Sequence, residues 1–285
     1  TAFTDGTRRI HRSAMRTIRT FVETYGIDMT FECMDLPFWE RFIRYLLTVR
    51  KITNVSAWSV AKSVKAFVAA SHDKGMHRND SYRKVTKARL LPRGDSSDQP
   101  YLTHEELERV RLHNFAGNDR LARVRDLFLF LAYTGLRFSD SQQIESHHRH
   151  ADTLKFTTGK NRKAVTVPLH PVAGAILEHY GGQLPHISNQ RANDYLSEVL
   201  EAAEITSTVH IVRFRGTERL EQTERKCDLV GMHGAKRTFV TLALLRGASA
   251  EALAKVTGNT AATLRVYDVR TTEDAMEEVR GAWKN

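Results

Sequence analysis

The chain has 285 residues, a formal net charge of +10 and an isoelectric point near 9.7. That length suits two domains, and basic residues spread through both halves are the footprint of a protein that holds several phosphates of a nucleic acid, with marked salt dependence. Two cysteines, Cys33 and Cys227, exclude a disulfide framework or a cysteine-rich metal set and suit a reducing cytosol. No apolar run approaches membrane-spanning length and no signal peptide is visible, so the expectation is a cytoplasmic protein, nucleoid-associated if bacterial, with no membrane partner. The chain begins at Thr1 without methionine, which suggests that an upstream segment has been trimmed.

In chain order, Arg8 to Tyr25 reads as a helix with Ile10, Met15, Ile18, Phe21 and Val22 on one side. Pro37 opens a second helix carrying Phe38, Trp39, Phe42, Tyr45 and Leu46. Asn54 to Lys74 makes a third, with Val60, Val64, Phe67 and Val68 facing inward. Arginines and lysines between these apolar positions are expected to line a nucleic-acid-facing surface. Residues 91–100, with P-R-G-D-S-S-D-Q-P, read as an extended linker. Thr103 and Glu106 then form a capping box that opens a second domain. Leu127 to Tyr133 reads as a helix buried almost all round, closed by Gly135 as a left-handed cap. Leu154 and Phe156 alternate against Val165 and Val167 around a polar turn, which predicts a β-hairpin. Val209 to Phe214 and Glu218 to Cys227 are strand-like or loop material. A helix follows from Met232, with Phe239, Leu242, Leu244 and Leu245 at helical spacing and Gly247 at its end. A short helix over Ser249 to Lys255 and an amphipathic segment reaching Tyr267 complete the pattern, with a further amphipathic helix over Glu273 to Lys284. The fold class expected is mainly α with a small β-sheet at one edge.

Several polar residues stand where this scaffold holds them. Arg137 follows the buried helix at once in Thr134-Gly-Leu-Arg-Phe-Ser-Asp140, and a fixed guanidinium suits an oxyanion that it grips with parallel hydrogen bonds. Lys160 sits at the tip of the hairpin in Gly159-Lys-Asn-Arg-Lys-Ala-Val-Thr-Val-Pro-Leu169, where a mobile ammonium can give a proton to a leaving oxygen. His233 and Lys236 are three apart in the first turn of the helix from Met232, whose N-terminus favours an anion. Tyr267, at the end of Val256-Thr-Gly-Asn-Thr-Ala-Ala-Thr-Leu-Arg-Val-Tyr267, is a credible nucleophile towards phosphorus once cations surround the phosphate.

Taken together and in this order, the four segments resemble the tyrosine recombinase and integrase family over residues 101–285, with weaker agreement over 1–90. T-G-L-R-F-S-D resembles the family's first-arginine box as it occurs in integrases of Bacteroides-type mobile elements. G-K-N-R-K-A-V-T-V-P-L resembles its hairpin-lysine box, H-G-A-K-R-T-F-V-T its H-x-x-R box, and T-G-N-T…R-V-Y its closing box. The resemblance implies a helical core DNA-binding domain over 1–90, a linker over 91–100 and a catalytic domain over 101–285. It implies a site-specific recombinase, an integrase or resolvase of a mobile element, that cuts double-stranded DNA through a 3′-phosphotyrosyl link without metal or nucleotide cofactor. The site residues carried over are Arg137, Lys160, His233, Lys236, Asn259 and Tyr267 as nucleophile, and the assembly is a homo-oligomer, a tetramer on DNA. In the family, a tail such as Glu273 to Lys284 docks on a neighbouring subunit; packing on its own subunit is the alternative.

Two positions depart from the pattern. The family's second arginine falls on Lys236, which keeps the charge and loses the planar fork, with Arg237 beside it on another helix face. The second histidine falls on Asn259, or on Gly258 when counted back from Tyr267, a neutral group in either alignment. Two other readings stay open: a non-catalytic DNA-binding relative that kept the fold after losing the second arginine and histidine, and a type IB topoisomerase that shares the residues and chemistry and relaxes supercoils as a monomer.

Overall fold

The computed structural model describes residues 4–92, 100–159 and 162–267. Lys160, most of the linker and the segment from 268 onward, including the amphipathic helix expected over Glu273 to Lys284, lie outside the described residues. The architecture is mostly helical with small antiparallel sheets, and among the described residues no helix is long and apolar enough to cross a membrane. The chain divides into two compact units, Thr1–Asp98 with His210–Thr223, and Gln99–Val209 with Glu224–Asn285.

In the first unit, helices α1 (Asp5–Tyr25), α2 (Leu36–Thr48) and α3 (Asn54–Asp73) are each started by a side chain that accepts a backbone N–H: Thr4, Asp35 and Thr53. Such caps satisfy donors that the first helical turn leaves unpaired. Gly26, in the left-handed region at φ 59°, ends α1. The core is aromatic, with Phe21, Trp39, Phe42 and Leu46 wholly buried, and Ala57 and Ala61 on α3 are small enough to bring its backbone close to α1. Two residues expected inside are not. Ile10 is 56% exposed and Phe67 is 48% exposed. Ile10 lies on the first half of α1, N-terminal to the stretch that packs at Ala14, Ile18 and Phe21, and Phe67 stacks on Phe31, with ring centroids 6.3 Å apart. The opposite face of α1 carries Arg8, Arg12, Arg16 and Arg19, all exposed and spaced by four, four and three residues. A short helix, α4 (Lys87–Leu90), closes the contiguous part of the unit.

The second unit starts with α5 (His104–Leu112), whose capping box joins Thr103 and Glu106 reciprocally. At its centre is α6 (Asp119–Thr134), where Leu127 to Ala132 are all buried, as a helix apolar on every face requires. A one-turn helix, α7 (Phe138–Ser141), follows. Strands β1 (Arg149–His150), β2 (Thr153–Thr157) and β3 (Ala164–Pro168) form an antiparallel sheet in which Leu154 faces Val167 and Phe156 faces Val165. Helices α8 (Pro171–His179) and α9 (Asn189–Ala202) pack on α6. Strands β4 (Thr208–Arg215) and β5 (Glu218–Arg225) pair as a separate hairpin whose turn groups with the first unit. There, wholly buried Asn54 accepts the Gly216 N–H at 2.7 Å and donates to the Gly216 carbonyl at 3.0 Å. After α10 (Lys226–Leu229), helix α11 (Met232–Leu245) lies along α6, α12 (Ala250–Thr257) and α13 (Ala261–Arg265) cluster with Val240 and Leu244 of its second half, and α12 also packs against β3.

Candidate active site

The buried helix α6 ends where its sequence demands. Gly135 has φ 67° and ψ 15°, and its N–H closes on the Leu131 carbonyl. A Cβ at Gly135 would stand 2.4 Å from Cδ1 of Phe239 on α11, so the turn is pinned by α11 as well as by its own dihedrals. Leu136 is buried, and Arg137 emerges at the start of α7 in extended conformation. Its guanidinium Nη2 donates to the Asn259 Oδ1 at 2.9 Å. Nη1 lies 3.6 Å from Asp140 Oδ2 and is buried without any hydrogen-bond partner. The other oxygen of Asp140 accepts the Gly159 N–H at 3.1 Å. One buried carboxylate thus couples the arginine to the tip of the β2–β3 hairpin, immediately before Lys160.

Helix α11 begins at Gly231, which has no side chain to cap it. Asn193 of α9 fills that role, accepting the Met232 N–H at 2.8 Å, and any Cβ at Gly231 would collide with the Asn193 oxygen at 2.6 Å. His233 is exposed on the first turn. Lys236, one turn on, is 2% exposed. Its Nζ donates to the Thr257 carbonyl at 3.3 Å and to the Asn259 Oδ1 at 3.1 Å. Gly258, left-handed at φ 65°, ends α12 and turns the chain so that Asn259 meets both cations. Of the two alternatives for that slot, Asn259 is the residue whose side chain reaches Arg137 and Lys236.

Burial, reinforced by the neighbouring Arg137 charge, pushes the Lys236 ammonium down to about 8, with Asp140 pulling the other way. Because the folded value lies below the ordinary one, the unfolded chain binds the extra proton between about pH 8 and 10.5. The penalty for burying this charge is therefore present in full below about pH 8 and fades as pH rises towards 10.5. Lys236→Met is expected to raise stability at pH 7 by about 1–3 kcal/mol. The gain over wild type should shrink towards pH 10. Chemical denaturation of both proteins at the two pH values checks this.

Tyr267, just past α13, is half-buried. Its N–H donates to the Leu264 carbonyl at 2.9 Å and its carbonyl accepts from the Thr241 hydroxyl at 3.2 Å. The guanidinium of Arg237 lies 4.9 Å from the centre of its ring. Among the described residues, then, Arg137, Lys236 and Asn259 form one hydrogen-bonded group with Asp140 beside it. His233 lies a turn away along α11, and Tyr267 is held by Arg237 and Thr241 outside that group. Asp140, Asn193 and the Thr257 carbonyl were not among the expected site residues. Only Asp140 had a signal, as the last residue of the first-arginine segment.

Chemically, the group is a buried ammonium and a partly buried guanidinium sharing one neutral oxygen, with the Asp140 carboxylate at 3.6 Å and the Arg137 Nη1 without a hydrogen-bond partner. It is a site for an anion with several acceptor oxygens.

Residues 1–88 match the phage integrase SAM-like domain family. Among solved structures, the chain is similar to the Tn1549 transposon integrase in complex with transposon right end DNA, at 11% identity and a TM-score of 0.67, covering 98% of this chain and 94% of that one. It is similar to a lambda integrase dimer bound to a COC′ core site, at 13% identity and a TM-score of 0.65, covering 95% and 91%. It is also similar to the XerH site-specific recombinase bound to palindromic difH substrate, at 13% identity and a TM-score of 0.64, covering 97% and 80%. No curated protein matches the chain in sequence.

Proposed function

We propose that this chain, which has the tyrosine recombinase fold from its first helix to Tyr267, is a site-specific DNA recombinase of a mobile element, an integrase or resolvase. The observation that carries this is Arg137 Nη1, buried without a hydrogen-bond partner and 3.6 Å from Asp140, next to the wholly buried Lys236. Asp140 balances one of these two desolvated cations, a second anion balances the other, and a phosphodiester brings two non-bridging oxygens. The first-unit helix α1 adds a row of exposed arginines at helical spacing, suited to successive phosphates of double-stranded DNA. The structures similar to this chain include recombinases bound to DNA, and one is a lambda integrase tetramer on a Holliday junction. By that likeness the working form is a tetramer on DNA.

In the reaction, the Tyr267 hydroxyl oxygen attacks the scissile phosphorus as the bond from phosphorus to the 5′ oxygen breaks. The tyrosine proton passes to His233, and the leaving 5′ oxygen takes a proton from Lys160. A 3′-phosphotyrosyl link and a free 5′-hydroxyl result, and a second 5′-hydroxyl reverses the step on a new strand. Arg137 and Lys236 hold the non-bridging oxygens as charge builds on them. Asp140 positions Arg137 and the hairpin that carries Lys160. No metal or nucleotide takes part. Tyr267 reaches the phosphorus by moving off Arg237 when DNA or a partner subunit is bound.

Nicked duplexes bearing a 5′-bridging phosphorothiolate at candidate sites trap the covalent intermediate, because the thiol leaving group does not religate. Wild type is expected to form an adduct stable to denaturation, and Tyr267→Phe none. Tight binding with no adduct on a cognate site would instead establish a non-catalytic DNA-binding relative. Relaxation of supercoiled plasmid by a monomer, without strand exchange, would point to a topoisomerase.

A further inference from the structure

The amide of Asn259 can be oriented by chemistry alone. Arg137 has donors only, so the Asn259 atom 2.9 Å from its Nη2 is the oxygen, and the amide nitrogen is turned away from the guanidinium. The same oxygen accepts from Lys236 Nζ at 3.1 Å. An amide oxygen has two lone pairs, one for each cation. A neutral imidazole has one acceptor nitrogen and a protonated imidazole has none, so a histidine at 259 could not serve both donors.

The lysine in turn depends on that oxygen. A lysine ammonium is a single point, without the fork by which an arginine spans two acceptors, and at 2% exposure it has little water to complete its shell. Its Nζ donates to the Thr257 carbonyl and to the Asn259 oxygen. Those two acceptors sit on either side of Gly258, whose left-handed turn sets their spacing.

We infer that Lys236 and Asn259 are one matched unit, in which the Asn259 oxygen ties Lys236 to Arg137 and the Asn259 amide nitrogen donates to a non-bridging oxygen of the bound phosphodiester. The inference rests on the assignment of this site to phosphodiester chemistry. What looked in sequence like two separate losses, of an arginine fork and of a histidine, is then one exchange. The lysine needs a two-lone-pair acceptor, and the asparagine that supplies it also offers two N–H donors at the position where the resembling family carries a histidine.

The test is nuclear magnetic resonance on the full chain, with inorganic phosphate as the probe. The Lys236 Cε signal is assigned by its loss in Lys236→Arg, and the Asn259 amide pair by its loss in Asn259→Asp. In wild type both signals should shift together as phosphate is added. Among the described residues, the charges acting on the Lys236 ammonium are those of Arg137 and Asp140, so substitutions at 259 change its surroundings one group at a time. Asn259→Asp should move the Lys236 titration midpoint up, and Asn259→His should move it down and weaken the phosphate response about tenfold. A Lys236 midpoint indifferent to both substitutions in folded protein overturns the inference. So does an amide pair that stays silent while Lys236 senses phosphate. Either result, alongside covalent adducts from wild type on the phosphorothiolate duplex, leaves the recombinase assignment standing. A midpoint that follows residue 259 while neither signal senses phosphate overturns the phosphodiester assignment and the donor role with it.

Discussion

Arg137→Ala is expected to lower covalent adduct formation on a phosphorothiolate duplex by about a hundredfold or more, while the protein stays folded. Removing one donor aimed at a developing oxyanion typically costs about 3 kcal/mol of transition-state stabilisation, and Arg137 is positioned to offer two. Three local effects keep the fold intact. Nη1 has no hydrogen-bond partner to lose, Asp140 retains the Gly159 N–H, and Asn259 retains Lys236. Relief of like-charge repulsion should also let the Lys236 ammonium return towards its ordinary range, which opposes part of any lost stability. Adduct yield and denaturation midpoint measured on the same preparation separate the two effects. Adduct formation within a few-fold of wild type would remove Arg137 from the machinery.

Gly135→Val should have the largest effect on stability, about 3–5 kcal/mol from a left-handed backbone combined with overpacking. The new Cβ would lie 2.4 Å from Cδ1 and 2.7 Å from Cε1 of Phe239, so either the ring or the turn must move. Since Arg137 is two residues along, a shift of the turn would also displace the guanidinium from Asn259. Gly135→Ala and the double variant Gly135→Ala/Phe239→Ala divide the cost. Removing the ring should relieve the collision and leave the dihedral strain. If Gly135→Val melts like wild type, α11 does not pin this turn.

Local patterns were the legible part of this chain. The all-apolar run before Gly135, the alternation of Leu154 and Phe156 against Val165 and Val167, and the Thr103–Glu106 capping box each carry their own physical signature within a few residues. The structure follows them. Ile10 and Phe67 misled because periodicity identifies a face and cannot say how far along a helix that face is covered. The candidate site is a different matter. Lys236 could be named from its neighbours in sequence, but its complete burial depends on α12 folding over α11. Asn259 and Gly258 were equivalent by counting, and only the left-handed turn at Gly258 decides which of them carries a side chain towards Arg137. Asp140 lies three residues from Arg137, yet its hydrogen bond goes to Gly159, which no local pattern indicates.

The buried Asn54 sets an order on the making of the chain. Its amide is satisfied by the backbone of Gly216, 162 positions later. During synthesis, residues 4–92 can collapse around Phe21 and Trp39 long before that backbone leaves the ribosome. Until it does, the nascent first unit carries an open polar notch at the start of α3. An amide stranded there without water or a partner would cost about 1–3 kcal/mol. The unit encoded first is therefore completed only after the turn at Gly216 has been made.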